Sequence, residues 1–401
     1  MRSPSGPFRD RSGAKNAALA DMLPHLERGF AWLYSDNSRD SLLLLTLSEA
    51  LLQKDPDLCV LLSLPDAAAL DVPPLERRSV LSAKEEGLEL VRQMLAQGLH
   101  PAALLMAVQT LPVALIRYLG RHHIPIFAIE AQGPVFDTRW QYLPGFRRSV
   151  LSQITRVFVP APDAQAAWLA RGLRAGALTV CGRLASTPTA LGCNEAEREA
   201  LAGALRLRPV WLAAGVPERE EAVILQAQRE ALRESHRLAL ILHPMDRMRG
   251  TALKAMFGAQ FQTALRSEDE LLTPDTQVYI VDTEAERGLW YRLAVACYLG
   301  GSLTNDGATL SPLEPAGMGS AIVHGRYFGR HADAFDLLRS ARATRMIQSA
   351  GALGAAICTA LRPEQAADQA HRGWQVISEG YEATETVLEA VLQAVARARQ
   401  A

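Results

Sequence analysis

The chain has 401 residues, 49% of them hydrophobic and 21% charged, the balance of a soluble globular protein long enough for two domains of ordinary size. A formal net charge of -1 leaves no sequence-wide basic excess to neutralise phosphates, which removes the argument for general nucleic-acid affinity. Five scattered cysteines (Cys59, Cys181, Cys193, Cys297, Cys358) form no CxxC pair, so reduced, mostly buried thiols in a cytoplasmic setting are expected. The polar, charged start MRSPSGPFRDRSGAKNAA reads as neither signal peptide nor membrane span, and no run reaches ~18 uninterrupted apolar residues. A peripheral membrane contact is compatible with this sequence, although nothing in it supplies an anchor.

Residues 1–29 read as a flexible N-terminus. FAWLY (30–34) is the first expected strand; it runs through the polar turn Ser35–Asp40 into the apolar helix SLLLLTLSEALLQK, a first βα unit. Further strands are expected at LCVLLSL (58–64), PAALLMAVQ (101–109), IPIFAIEA (124–131), RVFVPA and ALTVCGR (177–183). Between them lie the expected helices SAKEEGLELVRQMLAQG, LPVALIRYLGRHH, YLPGFRRSVLSQI and PDAQAAWLARGL. The polar segment from Leu184 to Arg208 reads as a linker without strands. A second series follows: PVWLAAG (209–215), the helix EREEAVILQAQREALRES, LALILHP (238–244), VYIVD, ACYLGGS and AIVHG. Short apolar strands alternating with helices of ~10–15 residues predict parallel, doubly wound α/β sheets. Two such halves suggest two Rossmann-like domains, at 30–190 and 205–362. The Ala-rich tail, 363–401, is expected to be helical and to return across the first domain.

The sharpest pattern runs from Gln277 to Gly319. VYIVD ends in an acid, and Glu284 and Glu286 fall in the first turn of an expected helix, where acids suit the positive helix end. A strand ending in Gly300-Gly301-Ser302 is followed by a Gly/Asn/Asp/Thr/Ser loop and then Pro312-Leu313-Glu314-Pro315. A glycine pair lets a ligand approach the backbone, and Glu314 at a helix mouth could accept a pair of hydrogen bonds from a ribose diol. Equally, Glu314 could cap the following helix, and Glu286 could be a helix-start acid or a ligand contact. In the first half, Asp36 or Asp40 stands after a strand, where catalytic groups gather in open α/β sheets. Either could act as a general base, while Asp40 also suits the N-cap of the next helix. Arg147 and Arg148, with Arg139 upstream, are a solvated basic face or a greeting for an anionic acceptor. His122 and His123 are adjacent and do not converge on a metal; His243-Pro244 reads as a structural strand end.

These stretches resemble a known family, the 3-deoxy-D-manno-octulosonic acid (Kdo) transferases. DTEAERGLWY, YLGGSL and ATLSPLEPA are similar to its D-T-M-G-E-L-G-L-x-Y, V-G-G-S-L and G-G-H-N-P-L-E-P-A. LPGFRRS, LTVCGRL and PVWLAAGVPEREE resemble its L-P-G-F-x-R-R, V-T-G-N-L and P-V-W-L-A-A-S-T-H-E-G-E-E. The resemblance extends from about Phe30 to about Ile347. It implies a GT-B type glycosyltransferase, two Rossmann-like domains facing across a cleft, with an acceptor held by the first and a nucleotide-sugar donor by the second. It also implies CMP-Kdo as donor substrate, inversion at the anomeric carbon, no metal or other cofactor, and a lipid A-type or other glycan acceptor at the cytoplasmic face of the inner membrane. Laid without gaps, the family's W-V-H-G-A-S-V-G-E falls on Trp32 to Asp40, making Asp40 the catalytic carboxylate. Glu286, Gly301, Ser302, Ser311 and Glu314 then stand at the donor, and Arg139, Arg147 and Arg148 toward the acceptor. Several positions depart: Leu310-Ser311 replaces H-N, Pro244-Met245-Asp246 replaces the P-R-H of the CMP site, and Arg183 replaces the last residue of V-T-G-N. Gly215 to Arg219 replaces S-T-H-E-G, and the acidic E-T-E-L-W-P-N segment appears as Val108 to Ala114. These losses keep two other readings open: a non-catalytic binding or scaffold relative, and a GT-B enzyme using another nucleotide sugar.

Overall fold

The structure is a computed structural model that describes residues 29–65, 77–82, 87–129, 133–136, 146–184, 191–206, 208–283, 286–305 and 309–400. It divides into two compact units, Met1–Ser186 with Gly380–Ala401, and Thr187–Glu379. The first unit holds a parallel sheet of β1 (Phe30–Ser35), β2 (Cys59–Leu64), β3 (Arg78–Ser82), β4 (Pro101–Ala107), β5 (Ile126–Ala128), β6 (Arg156–Val159) and β7 (Leu178–Val180). Their spatial order is β3-β2-β1-β4-β5-β6-β7, so the winding reverses between β1 and β4. The connecting helices are α1 (Ser41–Lys54), α2 (Gly87–Ala96), α3 (Val113–Arg121), α4 (Phe146–Leu151) and α5 (Pro162–Ala170).

An all-parallel sheet is covered by helices on both faces, and its strands are therefore apolar at every position. All residues of β1 and β4 are buried. Their side chains still divide by the period of two: Phe30, Trp32 and Tyr34 join the core with Val91, Met94 and Ile116 of α2 and α3. Ala31 and Leu33 face the other way, toward Leu44, Leu47 and Leu51 of α1.

The second unit holds β8 (Val210–Val216), β9 (Ala239–Pro244), β10 (Thr263–Leu265), β11 (Val278–Ile280), β12 (Ala296–Leu299), β13 (Ala321–His324) and β14 (Thr344–Met346). The order is β10-β11-β9-β8-β12-β13-β14, again all parallel, with the reversal between β8 and β12. Its helices are α6 (Glu195–Leu205), α7 (Glu221–Glu234), α8 (Gly250–Gly258), α9 (Arg287–Leu293), α10 (Leu313–Gly317), α11 (Ala332–Ser340), α12 (Leu353–Ala360) and the long α13 (Pro363–Gln400). Of the segment read as a linker, Leu184 is buried in the first core, while the described residues 191–206 and 208 belong to this unit. Asn194 caps α6 by accepting from the Glu197 N–H at 3.3 Å, and Leu205 is buried in the core with Leu212 and Tyr279.

Helix α13 serves both units. Gln369 Nε2 donates to Ile322 O at 2.7 Å, and Val376 and Ile377 pack on the second core. From Gly380 onward the helix is part of the first unit: Ala383, Val387, Leu388, Val391 and Val395 complete the core around Ala31 and Leu33. Burying a Val or Leu side chain stabilises by about 1.5–3 kcal/mol, and the ion pairs Lys54–Glu385 and Arg399–Asp55 flank this strip.

Sequence reading missed three strands, β3, β10 and β14, the first on one edge of its sheet and the others on the two edges of the second. Edge strands are short and half solvated, so they lack the apolar run that marks the interior ones. The cysteines are free, with Cys297 buried and the other four half-buried.

Candidate functional site

In open α/β sheets the place where the winding reverses leaves a crevice beyond the carboxyl ends of the strands. In the first unit this is the end of β1 and β4. Ser35, buried, closes a tight turn: its hydroxyl donates to Asn37 O at 2.9 Å and accepts from Asn37 N at 3.0 Å. Asp36 Oδ1 accepts the Gln109 N–H at 3.3 Å, tying the turn after β1 to the segment after β4 across the reversal point. Asp40 ends a single turn of 3-10 helix (Ser38–Asp40) and occupies the N-cap position of α1. It does so with φ −89° and ψ −4°, outside usual cap geometry, and its side chain makes no capping bond. Asp40 is half-buried, at the turn that follows β1.

Arg147 and Arg148 differ in exposure. Arg147 is half-buried with its guanidinium 5.9 Å from the Phe136 ring centre, a cation–π contact, whereas Arg148 is exposed. Arg139 lies outside the described residues. A cavity of about 310 Å³ in this unit, lined by Ala102, Phe127, Arg156 and Arg397 among others, opens at the amino edge of the sheet and does not include these residues.

In the second unit the reversal point is the end of β8 and β12. Gly300 lies so close to Gly215 O and Val216 Cα that a Cβ would stand 2.3 and 2.7 Å from them. Gly301 follows with φ +71°, a left-handed conformation suited to glycine. The loop it opens is held by a residue that sequence reading did not single out, Glu220, which is fully buried just before α7. Its Oε2 accepts from Tyr298 Oη (2.8 Å) and Gly301 N (2.9 Å). Its Oε1 accepts from Leu303 N (3.0 Å), Thr304 N (3.0 Å) and Thr304 Oγ1 (3.1 Å). Five donors around one carboxylate compensate its removal from water. The E-E that closes the resembled P-V-W-L-A-A-S-T-H-E-G-E-E falls on Glu220 and Glu221, and that was the available signal.

Ser302 is also fully buried, and its hydroxyl is engaged inside the protein. It donates to Leu299 O (2.5 Å) and accepts from Gly325 N (2.8 Å), fastening the loop to the end of β13. Ser302 thus holds the loop from below. Gly301 likewise gives its N–H to Glu220, and Ser311 Oγ accepts from Leu313 N at 3.4 Å at the start of α10.

Glu286 sits at the N-cap position of α9 without capping it. Its carboxylate receives Arg266 Nε at 2.7 Å, a second Arg266 contact through Nη2, and the Thr283 hydroxyl. Burial opposes its charge, yet Arg266 and Thr283 together hold the carboxyl below its ordinary range. Arg266 also bonds Glu197 of α6 and lies 5.0 Å over the Trp290 ring.

Glu314, 14% exposed at the start of α10, does not cap that helix. Its Oε1 stands 3.3 Å from Arg287 Nη2 and its Oε2 accepts from Tyr291 Oη at 3.1 Å. Burial pushes this carboxyl above its ordinary range, with Arg287 and the Tyr291 hydrogen bond opposing. His243, at the end of β9, accepts the Gly215 N–H on Nδ1 at 3.1 Å; burial first, then the Arg287 charge, push it down to about 4. Its remaining proton is therefore on Nε2. Leu310 and Met245 cover Gly215, so this rim is apolar where the chain departs from H-N and P-R-H. Glu286 and Glu314 thus flank one short helix, α9, beside the ends of β8, β9 and β12.

Among the described residues no group of three or more His, Cys, Asp and Glu side chains is placed to hold a metal ion, and no helix is long and apolar enough to cross a membrane.

No family model matches the sequence. The chain is similar to the 3-deoxy-D-manno-octulosonic acid transferase of Haemophilus influenzae, 28% identical over 185 residues, covering 45% of this chain and 43% of that protein. It is also similar to the probable mitochondrial 3-deoxy-D-manno-octulosonic acid transferase of Arabidopsis thaliana, 31% identical over 122 residues, 30% of this chain and 27% of that one. The matches thus span less than half the length of either relative. In structure the chain is similar to UDP-GlcNAc 2-epimerase from Neisseria meningitidis bound to UDP-GlcNAc, with a TM-score of 0.50 at 12% identity over 91% of this chain and 100% of that one. That likeness speaks to fold alone. The fold class is α/β of the GT-B type, with two Rossmann-like domains.

Proposed function

We propose that this chain, a divergent relative of the 3-deoxy-D-manno-octulosonic acid transferases, is an inverting glycosyltransferase. In this reading it moves Kdo, or a related sugar acid, from a CMP donor to a lipid A-type or other glycan acceptor. The observation that carries the proposal is the second unit's carboxyl edge: a glycine-opened loop anchored from below by Glu220 and Ser302, with Glu286 and Glu314 beside it at the two ends of α9's approach. A rigid, close-approach backbone with a half-buried carboxylate that can accept ribose hydroxyls is a nucleotide-sugar platform. Asp40 takes the proton from the acceptor hydroxyl as that oxygen attacks the anomeric carbon, and the nucleotide leaves with the bonding pair. Arg139, Arg147 and Arg148 are the acceptor-side basic residues. In this reading the reaction needs neither metal nor other cofactor and takes place in the cytoplasm, with a peripheral contact at the inner membrane as one setting for a lipid acceptor.

Calorimetric titration with CMP, UDP and GDP tests the donor. Preference for CMP is expected; preference for UDP or GDP would redirect the reading to another nucleotide sugar. Asp40→Ala is expected to reduce transfer by about 10²–10⁴-fold while CMP binding persists. Full turnover by that variant would remove Asp40 from the mechanism. A specific observation also favours a non-catalytic relative: the Glu286 carboxylate is already engaged by Arg266 and Thr283. Absence of heat and of any thermal shift at millimolar nucleotide would support that second reading.

A further inference from the structure

Close to the apolar rim over Gly215 lies the Arg287 guanidinium, whose charge is felt by His243, the ring that bonds Gly215 N. Arg287 begins α9 with its side chain 38% exposed, and among the described residues its side-chain hydrogen-bond partner is Glu314, through a single 3.3 Å contact. A guanidinium has five N–H donors, so this contact leaves most of them available. On its other side Arg287 is near enough to His243 to oppose protonation of that ring, and His243 bonds Gly215 directly. Arg287 therefore stands with the ends of β8 and β9, the same place where Met245 covers Gly215. The sequence comparison sharpens the point. D-T-M-G-E-L-G-L-x-Y has leucine where this chain has Arg287, and P-R-H has arginine where this chain has Met245.

Resting on the nucleotide-sugar reading above, we propose that Arg287 is the anion-reading residue of this site, gripping the charged group of the donor, either the nucleotide phosphate or the sugar carboxylate. A planar guanidinium binds both oxyanions in the same forked manner, so the chemistry is shared and the source is a matter for experiment. Glu314 positions the fork from behind, and Met245 leaves the space above Gly215 without a competing charge.

The test uses the full chain and its Arg287→Leu and Arg287→Lys variants, titrated with cytidine, CMP and CMP-Kdo. If the phosphate is the partner, R287L weakens CMP and CMP-Kdo about tenfold or more and leaves cytidine unchanged. If the carboxylate is the partner, only CMP-Kdo weakens. R287K is expected to fall between wild type and R287L, since it keeps charge without the fork; should R287L not fold, R287K carries the comparison. Equal affinities in wild type and variants overturn the Arg287 assignment while leaving the nucleotide site in place. An equal loss for cytidine and CMP shows a structural role and also overturns it. Failure of the wild type to bind any of the three overturns both readings.

Discussion

A buried side chain whose every lone pair is used tolerates little change, and Glu220 is that residue here. Both oxygens receive only donors, two on Oε2 and three on Oε1. Glu220→Gln keeps the shape, but in either amide orientation its NH₂ faces backbone N–H groups that have nowhere else to donate. We expect a loss of about 2–4 kcal/mol in stability, measured by urea unfolding, and faster hydrogen exchange at Gly301–Thr304. An unchanged midpoint would show that the loop does not depend on this carboxylate. Neighbouring Ser302 and Glu286 teach the same lesson: a residue type suited to ligand binding is equally suited to holding the ligand's platform, and only its partners distinguish the two.

Among elements, the closest approach at the second reversal point is backbone on backbone. A methyl at Gly300 would collide with Gly215 O at 2.3 Å and Val216 Cα at 2.7 Å, neither of which can swing aside as a side-chain tip would. Gly300→Ala is expected to cost about 3 kcal/mol or more by chemical denaturation. Gly351→Ala, at a site with nothing within 4 Å, serves as the control in the same unit and should change stability by only about 0.5 kcal/mol. Similar midpoints for the two variants would contradict the tight packing of β8 on β12.

Over the whole molecule, three histidines of the second unit make it acid-sensitive. His243, His324 and His331 are each pushed down to about 4, with burial the foremost cause. His324 is fully buried; Nδ1–H donates to Gly325 O (2.5 Å), Nε2 lies 3.2 Å from Thr344 Oγ1, and burial disfavours the charged ring. An unfolded histidine titrates near 6.5, so between about 6.5 and 4 the unfolded chain binds more protons than the native one. Stability is thus full above pH 6.5 and declines as pH falls toward 4, by up to roughly 1 kcal/mol per unit for each histidine. The Glu286–Arg266 pair acts in a lower window: its lowered carboxyl contributes above the usual glutamate range and is lost as pH falls through the folded value. Denaturant midpoints measured from pH 7 to 4.5 should therefore fall, with the raised Glu314 carboxyl offsetting part of the loss. A flat profile across that range would refute the neutral-histidine account.

The order of apolar runs determined the doubly wound class, because strands buried on both faces must be apolar throughout. The glycine loop and the acids around it were legible for a related reason: unusual backbone demands unusual residues. The fitting of Asp40 to the end of β1 also came from the chain alone, since position after a strand places a residue at the sheet edge. Tertiary structure alone decided which polar groups were already engaged, because hydrogen-bond partners such as Glu220 with Gly301, 81 residues apart, carry no local pattern. It likewise decided that edge strands such as β14 form, since a short, half-exposed segment is held by its neighbour rather than by its own sequence.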